Sequence, residues 1–177
     1  MMPGGQETHA LRVFVLLLAW SLCAACAANE RAAEPLADFP RASVTLESAS
    51  GTHAITAWIA DTAPRRMQGL MFVRTLRPET GMLFIFPRAQ YVSMWMKNTY
   101  VALDLLFIDG SGRIVNIAQN ARPLTLDTIN SAAPVVAVLE LRAGTVKDYG
   151  LQAGDRVLYS GFDVPAGALP GGRASRL

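Results

Sequence analysis

The sequence has few of the residues that build disulfide frameworks or metal centres. Only two cysteines and two histidines occur among its 177 residues. Both cysteines, Cys23 and Cys26, lie close to the N-terminus, and His53 is the one histidine beyond residue 41. A domain that begins after residue 41 therefore has no internal disulfide. We predict no metal and no cofactor, and a fold held by its apolar core.

Charged residues are also few, and basic and acidic side chains are nearly equal in number. Charged residues make up 17% of the chain, and the formal net charge of +2 is the difference between 16 basic and 14 acidic side chains. No run of Lys or Arg occurs that could neutralise a row of phosphates, so we expect no nucleic-acid partner. The hydrophobic fraction of 51% suits one domain with a proper core. Nothing in the pattern indicates an oligomeric state.

An apolar run of about ten residues, Val13 to Leu22, lies near the start of the chain. It is shorter than the roughly 20 residues that a membrane-spanning helix needs, and small residues follow it at 23–28. This pattern predicts a signal peptide over residues 1–26 and export to the periplasm or cell envelope. Ala24-Ala25-Cys26 also fits a bacterial lipoprotein site, in which a lipid on Cys26 would be the only membrane contact. Cleavage after Ala27 or Ala28 is the alternative.

The remaining chain divides into a polar linker at 27–41, one domain at 42–163 and a Gly-, Pro- and Ala-rich disordered tail at 164–177. Short apolar or alternating runs bounded by turn residues predict eight strands, at 42–47, 53–60, 82–86, 91–96, 101–109, 113–121, 135–141 and 156–160. Helical signals occur at 61–71 and 145–149. The fold class is therefore mainly β: a small single-domain β-sandwich or barrel with one or two short helices.

Two carboxylates interrupt the most apolar strands, Asp104 in VALDLLFI and Glu140 in VVAVLEL. Burying an unpaired carboxylate costs several kcal/mol, so each needs a partner or a pocket wall. The structural interpretation pairs each with a basic side chain: Asp104 with Arg66 or Lys97, and Glu140 with Arg142 or Arg74. The functional interpretation places both in one pocket, where they become candidate catalytic residues of a glycan-directed hydrolase.

A second cluster of polar side chains follows in Trp95, Lys97 and Asn98. An indole face with a cation and an amide at its edge is a combination that holds a small polar ligand. If 91–96 is a strand, Trp95 and Lys97 share one side, with Met94 and Met96 on the other. The structural alternative is a core or rim tryptophan beside a surface lysine.

Methionines are frequent, and thioether sulfur selects Cu(I) in exported proteins. Five follow the predicted signal peptide: Met67, Met71, Met82, Met94 and Met96. Cu(I) handling through methionine and tryptophan is thus a further alternative, against the use of methionine as an adaptable core residue.

The motifs together resemble an uncharacterised family, the domain of unknown function 192. In order they are Arg66-x-x-Gly69-Leu70-Met71-Phe72-x-Arg74, Gly81-Met82-Leu83-Phe84-x-Phe86, Trp95-Met96-Lys97-Asn98-Thr99, Leu103-Asp104-x-x-Phe107-Ile108, and Leu139-Glu140-Leu141-x-Ala143-Gly144 with Gly154-Asp155. The resemblance runs from about Val44 to Tyr159. It implies one mostly β domain, frequently exported, without an established activity.

The leading hypothesis is an exported small-ligand-binding or envelope-accessory domain rather than an enzyme. Its ligand is a small polar molecule. The candidate ligand-binding residues are the polar side chains set within apolar sequence: Arg66, Trp95, Lys97, Asn98 and Asp104.

Overall fold

The chain forms a curled sheet with two short helices in a computed structural model that describes residues 35–162. Nine strands and two helices occur in this part of the chain. They are β1 (Arg41–Ser48), β2 (Gly51–Ala60), α1 (Ala63–Gln68), β3 (Thr80–Gln90), β4 (Ser93–Met94), β5 (Leu103–Ile108), β6 (Ile114–Ala121), β7 (Ile129–Asn130), β8 (Val135–Arg142), α2 (Thr145–Asp148) and β9 (Arg156–Leu158).

Seven of these strands form one sheet in the order β6-β5-β8-β3-β2-β1-β9, while β4 pairs with β7. Strands β2 and β3 run parallel because the segment containing α1 crosses between them, and the other pairs are antiparallel. The two edge strands meet at one end through an antiparallel bridge between Arg113 and Arg156. There the Val157 N–H donates to the Gly112 carbonyl at 2.7 Å. The sheet is therefore a half-barrel whose edges touch at one end.

The predicted fold class is confirmed, with a mainly β chain of short strands and two short helices. One predicted strand, at 91–96, is wrong: only Ser93 and Met94 are extended there. The Met96 N–H instead donates to the carbonyl of Thr125 in a loop, and Asn98 turns the chain with a φ of +54°. The chain therefore leaves the sheet at the segment that carries Trp95, Lys97 and Asn98.

Side chains alternate between the two faces of the sheet, and each face buries its own cluster. The inner face gathers residues from all seven strands and from the α2 region, among them Val44, Leu106 and Leu139. The outer face is covered by the loops and by residues that precede β1, including Leu36 and Phe39.

Leu36 and Phe39 lie inside the predicted linker at 27–41, yet they are only 8% and 7% exposed. The packed domain thus begins earlier than predicted, because these two side chains supply apolar cover for the outer face. The predicted signal peptide, Cys26 and the predicted tail at 164–177 lie outside the described residues. Within residues 35–162, neither helix is long and apolar enough to cross a membrane.

Candidate functional site

A cavity of about 260 Å³ lies between the outer face of the sheet and the loops that cover it. Its walls are largely apolar and include Leu70, Met71, Phe84, Phe86, Val92 and Met94. The polar groups that reach it are fewer: Arg66, Gln68, Ser93, Lys97, Thr99 and Glu140. An apolar chamber with a small number of polar groups is the usual composition of a small-molecule site.

Helix α1 forms one wall, and local sequence fixes both of its ends. Thr62 caps its N-terminus by accepting from the Arg65 N–H, and Pro64 lies in the first turn, where no N–H is needed. The helix ends at Gly69, which has a φ of +52°. A Cβ atom there would lie 3.1 Å from Cζ of Phe84, so glycine suits this position both by its positive φ and by its close approach to this wall.

Arg66 is held firmly beside the cavity. Its Nη1 donates to the carbonyls of Asp61 at 2.6 Å and Ile85 at 2.9 Å, and its guanidinium lies 5.8 Å from the ring centroid of Phe86. Among the described residues its Nε and Nη2 have no hydrogen-bond partner and no carboxylate pairs with it. Arg66 therefore offers a positioned cation with donors to spare.

Glu140 supplies the most unusual polar group of the cavity. It lies on β8 opposite Leu105 of β5 and Met82 of β3, and it is 4% exposed. Its carboxyl group has no hydrogen bond or ion pair with any residue in 35–162. Burial raises the pKa of Glu140 from the ordinary 4.5 to about 8. At neutral pH it is consequently a protonated acid that can donate a hydrogen bond into the cavity.

The cavity mouth carries Trp95 and Lys97. Trp95 is 51% exposed, and the Lys97 Nζ lies 5.4 Å from its ring centroid. Both residues line the cavity, although the strand that was expected to bring them together is absent. Met94 also lines it, whereas Met96 is fully buried.

Asn98 supports the site without lining it. Its carbonyl accepts from the Phe72 N–H at 2.9 Å, and its Nδ2 lies 3.9 Å from Sδ of Met71. Asn98 does not line this cavity, contrary to the predicted direct contact of its side chain with a ligand. The amide instead ties two covering loops together.

Asp104 belongs to the opposite face of the sheet. Its two carboxylate oxygens accept from the backbone N–H groups of Asn120 at 2.9 Å and Val146 at 3.0 Å. Both bonds are structural, because they join β5 to the end of β6 and to the first turn of α2. The expected assignment of Asp104 to the ligand-binding pocket is wrong for this cavity.

The predicted partners of the two carboxylates are likewise wrong. Asp104 pairs with backbone amides rather than with Arg66 or Lys97, and Glu140 has neither Arg142 nor Arg74 as a partner. In the antiparallel register, Leu141 lies opposite Asp104 and Leu105 lies opposite Glu140, so the two carboxylates project from opposite faces. They cannot act on one substrate, which removes the two-carboxylate hydrolase.

Sequence reasoning missed most of the cavity wall, including Gln68, Phe84 and Val92. These residues lie on three separate segments, so only the folded chain brings them together. One usable signal was Gly69 within an otherwise helical segment. Of the five methionines, Met67, Met71 and Met94 line the cavity, while Met82 and Met96 are fully buried core residues. In residues 35–162, no group of three His, Cys, Asp or Glu side chains could hold a metal ion.

The fold and cavity define a small β half-barrel domain with a loop-covered pocket. Residues 44–159 match the domain of unknown function 192, which is described as an uncharacterised ACR, and the chain belongs to this family. No curated protein matches the chain.

Two of the solved structures that are similar to this chain are crystal structures of bacterial proteins. One, from Sinorhizobium meliloti 1021, is described as a proposed transcription regulator; it is 47% identical, with a TM-score of 0.66 over 68% of this chain and 94% of the other. The second, from Novosphingobium aromaticivorans DSM 12444, is a protein of unknown function that is 33% identical, with a TM-score of 0.69 over 75% and 94% of the two chains.

Proposed function

We propose that this domain binds a small organic acid in the outer-face cavity without catalysing a reaction. The observation that carries the proposal is Glu140, a buried carboxyl group without a protein partner that faces an apolar chamber. The Glu140 carboxyl group borders the cavity, and a ligand atom that accepts its hydrogen bond would supply the partner that the described residues do not.

The polar groups that line the cavity select the ligand. At neutral pH Glu140 donates a hydrogen bond, which suits a carbonyl or ether oxygen. Arg66 and Lys97 supply positive charge with unused donors, which suits a carboxylate. The apolar walls of the cavity suit a short hydrocarbon or aromatic body. The volume of about 260 Å³ lies below the roughly 300–1,000 Å³ of drug-sized sites, so the ligand is small.

A thermal-shift panel of keto acids, aromatic carboxylates, amino acids and sugars tests this proposal. We expect an acid that stabilises the protein to bind more weakly to Lys97→Gln and to lose affinity as pH rises above about 8. Lys147→Gln is the matched control, since Lys147 is exposed on α2 and does not line the cavity. No stabilisation by any acid at millimolar concentration would contradict the proposal.

A second candidate is a soft metal ion, because Met67, Met71 and Met94 line the same cavity beside Trp95. Thioether sulfur is a ligand for Cu(I). Anaerobic titration with Cu(I) against a chromophoric chelator, with Trp95 fluorescence as a second readout, decides between the two. Metal binding that disappears in Met67→Leu with Met94→Leu would favour copper.

We also propose that the domain works outside the cytoplasm, in the periplasm or cell envelope. The support is the apolar run Val13 to Leu22 followed by small residues. Mass spectrometry of the mature protein from a bacterial host distinguishes a lipid on Cys26 from plain cleavage. An uncleaved chain found in the cytoplasm would contradict export.

A further inference from the structure

Two exposed apolar residues of the covering loops have strained backbones. Phe72 has a φ of +67° and Leu124 a φ of +63°, and their side chains are 51% and 56% exposed. L-residues disfavour this left-handed region, which glycine and asparagine adopt more easily. Neither side chain is buried enough to offset the strain. The backbone hydrogen bonds of Phe72 and Leu124 account for the path of the chain but not for the exposed apolar side chains, which points to a role for these two side chains at the surface.

The strained residues lie on one continuous surface. The Phe72 N–H donates to the Asn98 carbonyl at 2.9 Å, and the Leu124 N–H donates to the Thr99 carbonyl at 3.2 Å. The ring of Tyr100 lies 6.4 Å from that of Phe72, and the Arg74 guanidinium lies 5.0 Å from the Tyr100 centroid. We call Phe72, Arg74, Tyr100 and Leu124 the loop face.

The segments that carry this face are basic. Residues 63–79, 95–102 and 122–128 contain six basic and two acidic side chains, for a formal charge of 6 − 2 = +4. The rest of residues 35–162 contains six basic and eight acidic side chains, for 6 − 8 = −2. The segments that carry the loop face are therefore more basic than the rest of the described chain, with Arg65 among them paired to Asp61.

Charge and apolar character together select the occupant. A second copy of the chain would bring like charges together, which disfavours self-association through this face. Nucleic acid would require a row of phosphate contacts, whereas Phe72 and Leu124, which are exposed side chains of the loop face, are apolar. Aromatic and leucine side chains interspersed with arginine are the composition of surfaces that enter the lipid headgroup region.

We propose that the loop face docks on an anionic phospholipid bilayer. Phe72 and Leu124 enter the boundary between headgroups and acyl chains, Tyr100 lies at the level of the headgroups, and Arg74 and the neighbouring Arg122 contact lipid phosphates. Rigid hydrogen bonds between the loops hold the two apolar side chains outward before contact, which lowers the entropy lost on docking.

The experiment measures sedimentation of the full chain with vesicles. One set contains phosphatidylcholine alone, and the other contains equal parts phosphatidylcholine and phosphatidylglycerol. All proteins carry Cys26→Ser, so that no N-terminal lipid contributes. We expect binding to the anionic vesicles that weakens with added salt, and a partition coefficient at least tenfold lower for Phe72→Asn with Leu124→Asn.

Charge variants provide the second measurement. We expect Arg74→Gln and Arg122→Gln each to lower the partition coefficient about fivefold, and the exposed control Lys147→Gln to leave it unchanged. The melting temperature of the double asparagine variant should equal or exceed that of the parent, because asparagine tolerates the left-handed backbone. This result separates a surface role from a folding role.

Four outcomes would overturn the proposal. Equal sedimentation with both vesicle sets, or unchanged sedimentation of the double variant, would show that the loop face does not recognise the anionic bilayer. A concentration-dependent dimer that the same variant abolishes would assign the face to a second copy. Binding to duplex DNA without binding to vesicles would assign it to nucleic acid.

Discussion

Replacement of Glu140 by glutamine should make the protein more stable at neutral and alkaline pH. Glutamine keeps the shape of the protonated acid but cannot ionise. In the native protein, burial raises the pKa of Glu140 to about 8, against 4.5 in the unfolded chain. Between these pH values the folded chain holds one more proton than the unfolded chain at this position, so the free energy of unfolding must fall as pH rises.

The magnitude follows from the two pKa values. At about 1.4 kcal/mol per pKa unit, the interval from 4.5 to about 8 corresponds to roughly 5 kcal/mol. Below pH 4.5, ionisation of Glu140 does not lower the free energy of unfolding. The free energy of unfolding falls through the interval, and above pH 8 it is lower by the full amount. Small domains have unfolding free energies of about 5–15 kcal/mol, so this single group governs a large share of the total.

Urea unfolding followed by circular dichroism from pH 5 to pH 9 measures the effect. We expect the free energy of unfolding of Glu140→Gln minus that of the parent to grow by about 1.4 kcal/mol per pH unit and to level off above pH 8. Taking the difference cancels the titration of all other groups. Glu79→Gln is the matched control for the change from a carboxyl to an amide group, because Glu79 is exposed. A flat difference for Glu140→Gln would refute the assignment of a buried, protonated acid.

Three further substitutions test how the site is positioned, each by urea unfolding. Asp104→Asn should lower the free energy of unfolding by about 1–3 kcal/mol, because an amide nitrogen would face one of two backbone N–H donors; an unchanged value would contradict the structural role. Gly81→Ala should cost about 1–3 kcal/mol, since its Cβ would lie 2.5 Å from the Glu140 carbonyl oxygen. Gly69→Ala should cost a similar amount through its φ of +52°, and a neutral result would mean that the helix end adjusts freely.

The strands could be predicted because each is a short apolar run bounded by turn residues. The β1–β2 hairpin and β8 follow this rule closely. The shape of the covering loops could not be predicted, because it depends on hydrogen bonds between distant segments, such as the one from Met96 to Thr125. A sequence shows the alternation of side chains within a strand but not the register between strands.

The register between β5 and β8 determines on which face of the sheet each of the two carboxylates lies. Both were recognised as polar outliers, but their relative placement depends on the pairing of β5 with β8. A shift of one residue would have put Asp104 and Glu140 on the same face. The hydrogen-bond partners of Asp104 are backbone groups 16 and 42 residues away, and no local sequence pattern predicts them. Glu140 is a central polar group of the cavity because it lies on the outer face, which the loops cover.

Contact between the two sheet edges determines when the domain can finish folding. Strand β9 pairs with β1 and also meets Arg113 next to β6, yet it is the last strand within residues 35–162. A chain that emerges progressively from the ribosome or through a membrane pore therefore keeps the free edges of β1 and β6 open until residue 158 is available. Such open edges invite pairing with other chains. We expect truncation before β9 to yield aggregation rather than a smaller soluble domain, and refolding of the intact chain to be slow for its size.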